Sequence, residues 1–230
     1  MISIRKANER GYEDHGWAHT RYCFSYGDYY DPRYTGFRAL AAINEDIVQP
    51  ENGWPMHDHD NAEIISFVLD GGLAHGDSLG NEGVIRAGMV QLFSAGAGAE
   101  HRQFANEQGL HFLQIAVLPH SLDLPPSYEQ RYYPLTERQS RLRLIASPNG
   151  SEGSLIIHQD ARLYTALLAK GEQVSYCLAS GRHAWVQVAQ GRVRLADRLL
   201  EPGDGAAISD VPSLFLTAEE TAEVMVFDLA

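Results

Sequence analysis

The segment NGWPMHDHDNAE (52–63) holds the residues whose types and spacing are best suited to chemistry, because His57 and His59 stand two positions apart. On a β-strand, alternate side chains share one face, so the two imidazoles point the same way. If the strand continued, Asn61 and Glu63 would lie on that face as well. Two imidazoles with a nearby carboxylate are donors that divalent transition metals accept. A histidine pair can also be a surface feature, so the other segments must decide between the two interpretations.

A third histidine follows a glycine-rich turn in SAGAGAEHRQFAN (94–106), where His101 and Gln103 share one strand face. If this segment lies beside the histidine pair, three imidazoles converge on one ion. Imidazole and oxygen donors suit divalent iron, nickel, copper, manganese, cobalt or zinc, and iron is the metal we expect. Open coordination positions would permit catalysis. Because neutral imidazole is the form that binds a metal, the affinity should fall at acid pH.

Short apolar or alternating runs, separated by clusters of Gly, Asn, Asp and Pro, predict the strands that must position these residues. The runs lie at 37–43, 63–69, 88–93, 111–118, 154–158, 162–168, 184–190, 213–216 and 222–229. No long amphipathic helix is present, although 127–142 has the composition of a short one. Many short, evenly spaced strands predict an all-β sandwich or barrel.

A weak internal repeat predicts two barrels in the chain. ISFVLDGGLAHGDSLGNEGVIRAGMVQLFSA (65–95) and AWVQVAQGRVRLADRLLEPGDGAAISD (184–210) each contain a strand, a Gly turn, a short strand, a second turn and another strand. We therefore expect a metal-binding barrel in residues 1–120, a Pro-rich linker at 121–134 and a second barrel in residues 135–230.

The second barrel is predicted to lack a metal. When the glycines of the two repeats are aligned, Tyr176 and Leu178 stand at the positions of the histidine pair, and Leu216 stands at the position of His101. Because all three donors are replaced together, we expect this barrel to have a structural role.

Composition excludes several classes of function. The formal net charge is −12 and no basic run occurs, which argues against binding to a phosphate backbone. Two distant cysteines form neither a disulfide framework nor a Cys-rich zinc site. The first residues lack the apolar core of a signal peptide, and the most apolar stretch, LHFLQIAVLP, is too short to span a bilayer. We expect a cytoplasmic protein that binds neither nucleic acid nor membrane.

These segments resemble those of pirin-like bicupins in the cupin superfamily. The resemblance rests on GWPMHDHDNAEIISFVLDGGLAHGDSLG and VIRAGMVQLFSAGAGAEH, and CFSYGDYYDP, INEDIVQP and LHFLQIAVLP are also similar. It covers nearly the whole chain and is most specific in the first half. It implies two cupin-type β-barrels (a bicupin jelly roll) and one metal in the first barrel, held by His57, His59, His101 and residue 103.

The resemblance also implies an activity. Bacterial relatives are associated with quercetin 2,3-dioxygenase, an oxidoreductase in which a flavonol coordinates the metal and reacts with O2, releasing carbon monoxide. A small flavonol-like aromatic and O2 are then the expected substrates. An animal relative is a nuclear transcriptional cofactor, but nothing in this sequence indicates its partners. The alternative function, motivated by Gln103, is a non-enzymatic metal-binding or redox-sensing protein that regulates a protein partner.

One position departs from the family pattern. Where the family reads His-Ser-Glu, this chain reads His101-Arg102-Gln103. A Glu there would be an anionic ligand and would accept the proton of the flavonol hydroxyl, whereas Gln offers a neutral oxygen and takes up no proton at ordinary pH. We favour Gln103 near the metal with Glu63 in a supporting catalytic role; a site of three histidines with Glu63 as the fourth ligand is the other arrangement.

Two further groups of residues have less specific interpretations. The tyrosine-rich segment RYCFSYGDYYDPRY (21–34) either forms the mouth of a pocket for an aromatic ligand or packs as ordinary turn structure, and we favour packing. The remaining histidines are expected to be packed or on the surface (His15, His19, His75, His111, His120, His158 and His183).

Overall fold

Twenty strands and one four-residue helix make up the regular structure in a computed structural model that describes all 230 residues. The elements are β1 (Ile2–Arg5), β2 (Gly11–Asp14), β3 (Ala18–Tyr22), β4 (Leu40–Val48), β5 (Gly53–His59), β6 (Glu63–Asp77), β7 (Glu82–Arg86), β8 (Met89–Ser94), β9 (Ala99–Val117), β10 (Ser127–Tyr132), α1 (Leu135–Arg138), β11 (Arg143–Ser147), β12 (Leu155–Ile156), β13 (Ala161–Leu168), β14 (Gln173–Cys177), β15 (His183–Gln190), β16 (Val193–Leu195), β17 (Arg198–Leu200), β18 (Gly205–Ile208), β19 (Ser213–Ala218) and β20 (Ala222–Leu229). Short 3-10 turns occur at Ala7–Glu9 and Ser151–Gly153. The all-β prediction is confirmed.

The expected helical segment 127–142 is divided between two elements. Its first part forms β10, and only α1 is helical. No helix in the structure has the length and apolar character needed to cross a membrane.

The contacts within the chain define two units. The amino-terminal unit contains residues 11–132 and 157–159, and the carboxyl-terminal unit contains residues 1–10, 133–156 and 160–230. These limits differ from the predicted ranges in two places. Strand β10, inside the predicted linker 121–134, pairs with β8 of the amino-terminal unit. Strand β1, inside the predicted first barrel, pairs with β18 of the carboxyl-terminal unit.

The amino-terminal unit is built on an antiparallel sheet in the order β10-β8-β6-β9-β4-β3-β2. Strand β9 is 19 residues long, and its first half also pairs with β5. Bulges interrupt its pairing with β6 beside Gly71 and Gly109, both of which have positive φ. A Cβ on Gly71 would lie 2.0 Å from the carbonyl oxygen of Gly109, so this crossing requires glycine.

The carboxyl-terminal unit contains a seven-stranded sheet, β1-β18-β15-β20-β13-β11-β12, and a four-stranded sheet, β14-β19-β16-β17. Its core is a cluster of 18 buried residues, all of them apolar. The segment after β1 is held by Asp204, which accepts hydrogen bonds of 2.7 Å from Lys6 Nζ and from the backbone nitrogen of Ala7. The chain's first ten residues therefore belong to the fold of this unit.

Candidate metal centre

Strand pairing brings the three predicted histidines together. In the β5–β9 register, His57 lies directly opposite His101, and His59 lies two positions further along β5. Residues directly opposite on an antiparallel pair project to the same face with close Cβ atoms. The ring centroids are 4.6 Å apart for His57–His101 and 4.8 Å apart for the two pairs that include His59. The structure thus forms the imidazole triad that the spacing predicts.

Two glycines permit this pairing. A Cβ on Gly53, at the start of β5, would lie 2.1 Å from the carbonyl oxygen of Gln103, so a larger residue would push β5 off β9. The turn before β9 contains Gly96 with φ of 50°, where a Cβ would lie 2.0 Å from the carbonyl oxygen of Leu124. The glycine-rich turn seen in the sequence therefore sets the start of the strand that carries His101.

The nitrogen atoms of the triad converge on one point. Nε2 of His57 lies 3.1 Å from Nε2 of His101, and a ligand atom of each of the three rings lies within 4.8 Å of the others. Nitrogen ligands about 2.1 Å from a common metal lie roughly 3 Å from one another. Nε2 of His59 is buried and has no hydrogen-bond partner in the protein. This donor set fits a divalent transition metal.

The orientation of His57 is set from behind the ring. Its Nδ1 lies 2.8 Å from the carbonyl oxygen of Pro55, to which it donates a hydrogen bond. That bond leaves the lone pair of Nε2 facing the other two imidazoles. A backbone carbonyl in this role is the usual way in which proteins orient a metal-binding histidine.

Burial keeps two of the three imidazoles, His59 and His101, uncharged. Desolvation, followed by the neighbouring imidazoles, lowers the pKa of His101 to about 2 and that of His59 to about 4. Both rings are therefore neutral near pH 7. Neutral imidazole is the form that coordinates a metal.

Gln103 lies near the triad but is tied to another strand. Its side chain is buried, and Nε2 donates a 3.1 Å hydrogen bond to Oγ of Ser66 on β6. That bond leaves Oε1 as the free polar atom of the amide. Gln103 also lines a cavity beside His57, so the chain offers a neutral oxygen where the family pattern has a carboxylate.

Glu63 is not part of the triad. Asn61, with φ of 45°, turns the chain after β5, and Glu63 begins the new strand β6. Its buried carboxylate accepts a 2.9 Å hydrogen bond from Oγ of Ser94 and lies 3.2 Å from Nδ1 of His158. Glu63 would share the face of His59 only if the strand continued, and the strand ends between them. The geometry does not support Glu63 as the fourth ligand.

His75 is a fourth imidazole near the triad, expected from the sequence to be packed. Its Nε2 lies 2.9 Å from Oδ2 of Asp77, and its ring stacks on Tyr128 with centroids 4.7 Å apart. The ring centroid lies 5.8 Å from that of His101. His75 thus packs behind the triad.

An aromatic cavity of about 160 Å³ opens beside the triad. Its lining residues come from several strands and loops: His15, Thr20, Tyr22, Tyr26, Asn44, Asp46, Trp54, His57, Gln103 and Gln114. A smaller cavity of about 70 Å³ on the side of His59 shares Tyr26, Asn44 and Gln114 with it. The tyrosine-rich segment therefore both packs, with Tyr22 and Tyr26 stacked at 6.0 Å, and lines the cavity. Packing was the favoured expectation, and a role at the mouth of a pocket was the alternative.

Two polar residues of this cavity were missed by the sequence analysis. Asn44 and Asp46 alternate on β4 with their side chains buried, on the same face as the apolar Leu40, Ala42 and Val48. Thr20 Oγ1 donates a 2.6 Å hydrogen bond to Oδ1 of Asp46. Alternation alone gave no signal for them, because polar residues occupy both faces of this run and the sequence does not show which face is buried.

In the carboxyl-terminal unit, a tyrosine and two leucines stand at the positions that alignment of the repeats assigns to the histidines. The hydroxyl of Tyr176 donates a 2.5 Å hydrogen bond to Oδ2 of Asp228 and lies 3.3 Å from the hydroxyl of Tyr164. Burial and these partners raise the pKa of Tyr176. Leu178 and Leu216 belong to the apolar core.

Comparison with known families matches both parts of the chain. Residues 3–117 match the family model described as Pirin, and residues 144–229 match the model described as Quercetinase C-terminal cupin domain. These matches confirm the prediction of two cupin domains in an all-β chain.

Similar proteins are known from Escherichia coli. Quercetin 2,3-dioxygenase of strain K12 is 38% identical over 231 residues, covering 100% of this chain and 99% of that protein. The crystal structure of YhhW superposes with a TM-score of 0.96 at 38% identity, covering 100% and 98% of the two chains. The bacterial pirin YhhW in complex with nickel(II) gives a TM-score of 0.94 at 39% identity, covering 100% and 99%. By sequence and by fold, the chain belongs to the pirin family.

Proposed function

We propose that this protein is a metal-dependent oxidoreductase of the quercetin 2,3-dioxygenase type, with a flavonol and O2 as substrates. The observation that carries the proposal is the convergence of His57, His59 and His101 beside an aromatic cavity. Membership of the pirin family and similarity to a protein named quercetin 2,3-dioxygenase support the reaction class.

His57, His59 and His101 are the proposed metal ligands, and Gln103 supplies a neutral oxygen beside them. A divalent transition metal bound there would polarise a flavonol oxygen and promote its reaction with O2. Iron is our first expectation for the metal; nickel is the ion named for a relative of known structure. Copper, manganese, cobalt and zinc are compatible with the same donors.

The chain's own residues bind and orient the substrate. Trp54, Tyr22 and Tyr26 offer flat apolar surfaces to an aromatic ring in the cavity. His57 edges this cavity, so a ring held there lies next to the proposed metal ligands. The buried amide of Gln103, fixed by Ser66, presents an oxygen that can accept a hydrogen bond but cannot hold the proton of a substrate hydroxyl.

The experiment is a turnover assay with defined metal content. Protein loaded separately with iron, nickel or copper should consume quercetin and O2 together and release carbon monoxide. Metal-retaining protein that leaves quercetin unchanged with every metal would contradict the proposal. Gln103→Glu is the informative variant: if it alone restores turnover, the natural chain is not a dioxygenase of the usual kind.

Gln103 favours a second candidate function. Because the residue cannot accept a proton, metal binding could persist without catalysis, in a metal-binding or redox-sensing protein that regulates a protein partner. Partner capture that depends on bound metal, together with no turnover across a panel of flavonols, would support this candidate. Equal capture of the partner by metal-loaded and metal-free protein would count against this candidate.

A further inference from the structure

The cavity beside the triad has a second polar end on strand β4. Asp46 is 2% exposed and Asn44 is 3% exposed, and both line the cavity that also contacts His57 and Gln103. They stand two positions apart on one strand, so their side chains project into the same space. A hydroxylated ligand could therefore reach the triad at one end and β4 at the other.

Asn44 presents an acceptor oxygen that the protein leaves without a donor, and Asp46 presents a carboxylate with a single side-chain donor. The carboxylate of Asp46 accepts one hydrogen bond from a side chain, that of Thr20 to Oδ1. Oδ1 of Asn44 is buried and has no partner in the protein. An unsatisfied buried polar atom costs about 1–3 kcal/mol, so such pairs of acceptors are uncommon without a purpose. Their complement is a ligand that carries adjacent O–H donors.

The size and walls of the cavity restrict that ligand further. Its volume of about 160 Å³ is below the roughly 300–1,000 Å³ of pockets that enclose a drug-sized molecule. It therefore encloses one ring of a ligand. The walls formed by Tyr22, Tyr26 and Trp54 suit an aromatic one.

We propose that Asp46 and Asn44 bind the hydroxyl groups of a hydroxylated aromatic ring, and that Asp46 accepts the proton of one of them. The ring's O–H bond breaks, a new O–H bond forms on the Asp46 carboxylate, and the ligand is left as a phenolate; nothing is oxidised or reduced. The inference rests on the proposed function for the class of ligand. It assigns to β4 the carboxylate that is missing at position 103.

The electrostatic surroundings suit a proton acceptor. Burial, and then the charge of Glu45, raises the pKa of Asp46 to about 7, while the Thr20 hydrogen bond and His111 act in the opposite direction. A pKa near the working pH is the most effective value for a general base. Tyr22 and Tyr26 face the same space, and the carboxylate of Asp46 contributes to the raised pKa of each phenol. His15 and His57 are the other titratable groups that line the cavity.

The test uses zinc-loaded protein, which cannot turn over an aromatic ligand by redox chemistry, and catechol as the single-ring probe. Calorimetric titration between about pH 6 and 8 compares the wild type with Asp46→Asn and with Glu45→Gln. Glu45 is the matched control, because it is the neighbouring carboxylate on β4 and contacts His111 instead of the cavity. Asp46→Asn should weaken catechol binding at least tenfold at pH 8, whereas Glu45→Gln should match the wild type at that pH. Its affinity should level off at a lower pH than in the wild type, because the charge of Glu45 raises the pKa of Asp46.

The pH profile separates proton transfer from simple packing. Wild-type affinity should level off above about pH 7 and fall below it, because a protonated Asp46 accepts no further proton. Asp46→Asn should lack this break. Thr20→Val keeps the carboxylate but removes its donor, so the break should move to higher pH.

Three results would overturn the inference: no catechol binding by the wild type, equal binding by Asp46→Asn, or an unchanged pH profile in Asp46→Asn. The quercetin turnover assay separates this failure from failure of the proposed function. Asp46-dependent catechol binding without turnover by any metal rejects the dioxygenase alone. Turnover with unaltered catechol binding in Asp46→Asn rejects the role of Asp46 alone.

Discussion

A weak repeat relates part of one unit to part of the other, yet the buried polar residues of the two units have different roles. In the carboxyl-terminal unit, 18 buried apolar residues form a core cluster, and buried charged side chains such as Arg138, Glu223 and Asp228 lie in ion pairs. In the amino-terminal unit, buried polar side chains line the cavity beside the triad, namely Thr20, Asn44, Asp46 and Gln103. Both amide atoms of Gln91 and Oδ1 of Asn44 are buried without partners.

This difference indicates which unit carries the chemistry. Unsatisfied buried polar atoms reduce stability, so a fold retains them mainly where function requires them. In the carboxyl-terminal unit, apolar core residues, Leu178 and Leu216, stand at positions that alignment matches to the histidines. An imidazole triad at these positions is therefore not a requirement of the fold.

Removing His101 should have the largest effect, because it lies fully buried between the other two imidazoles. His101→Ala should weaken metal binding more than about 100-fold, since loss of even an outer partner of a ligand costs 10- to 100-fold. Elemental analysis and competition with a chelator measure the change. Tyr176→Phe, at the position that alignment matches to the histidine pair, should retain metal like the wild type. If His101→Ala still bound one metal ion per chain, His101 would not be a required ligand. The proposed difference in metal binding between the two units would then lose its basis.

Leu216→Ala tests the other side of the comparison. Leu216 is 1% exposed in the apolar core, at the position that alignment matches to His101. Truncation should reduce the free energy of unfolding by about 2–5 kcal/mol, because it leaves a cavity, and should leave the metal content of the folded protein unchanged. Urea denaturation measures the first quantity and elemental analysis the second. An unchanged free energy of unfolding in Leu216→Ala would show that the packing of this side chain does not stabilise the carboxyl-terminal unit.

Asp46→Asn should stabilise the protein at neutral and alkaline pH. The pKa of Asp46 rises on folding from 3.8 to about 7, so the wild type loses stability as the pH increases from about 4 to about 7. That rise corresponds to at most on the order of 4 kcal/mol at pH 7 and above. The stability of Asp46→Asn should not decrease over this pH range, and it should equal that of the wild type only near pH 4. Thermal unfolding across the pH range measures the difference, and parallel curves would contradict it.

Glu63→Gln should have the smallest effect. The carboxylate contacts Ser94 and His158 and lies apart from the triad, so metal content should not change. Loss of the charged acceptor should cost about 0.5–1.5 kcal/mol of stability, measured by urea denaturation. Loss of metal from Glu63→Gln would instead indicate that Glu63 is a metal ligand.

Sequence spacing was sufficient to predict the triad, because His57, His59 and His101 depend on strand alternation and one glycine turn. The alternation of side chains could not place Glu63, because the turn at Asn61 ends one strand and Glu63 begins the next. Asp46 was missed for a related reason. In the run INEDIV, polar residues occupy both faces, and only the pairing of β4 with β3 and β9 determines which face is buried.

The pairing of β1 with β18 could not be predicted either, because nothing local marks two segments about 200 residues apart as partners. That separation has a consequence for the order of folding during synthesis. Residues 2–5 are made long before their partner, Gly205–Ile208. The amino-terminal unit can close while the chain is still growing, whereas β1 stays unpaired until β18 has been made. A fragment beginning at residue 135 would lack β1 and would expose the edge of β18 permanently, and open edges promote aggregation.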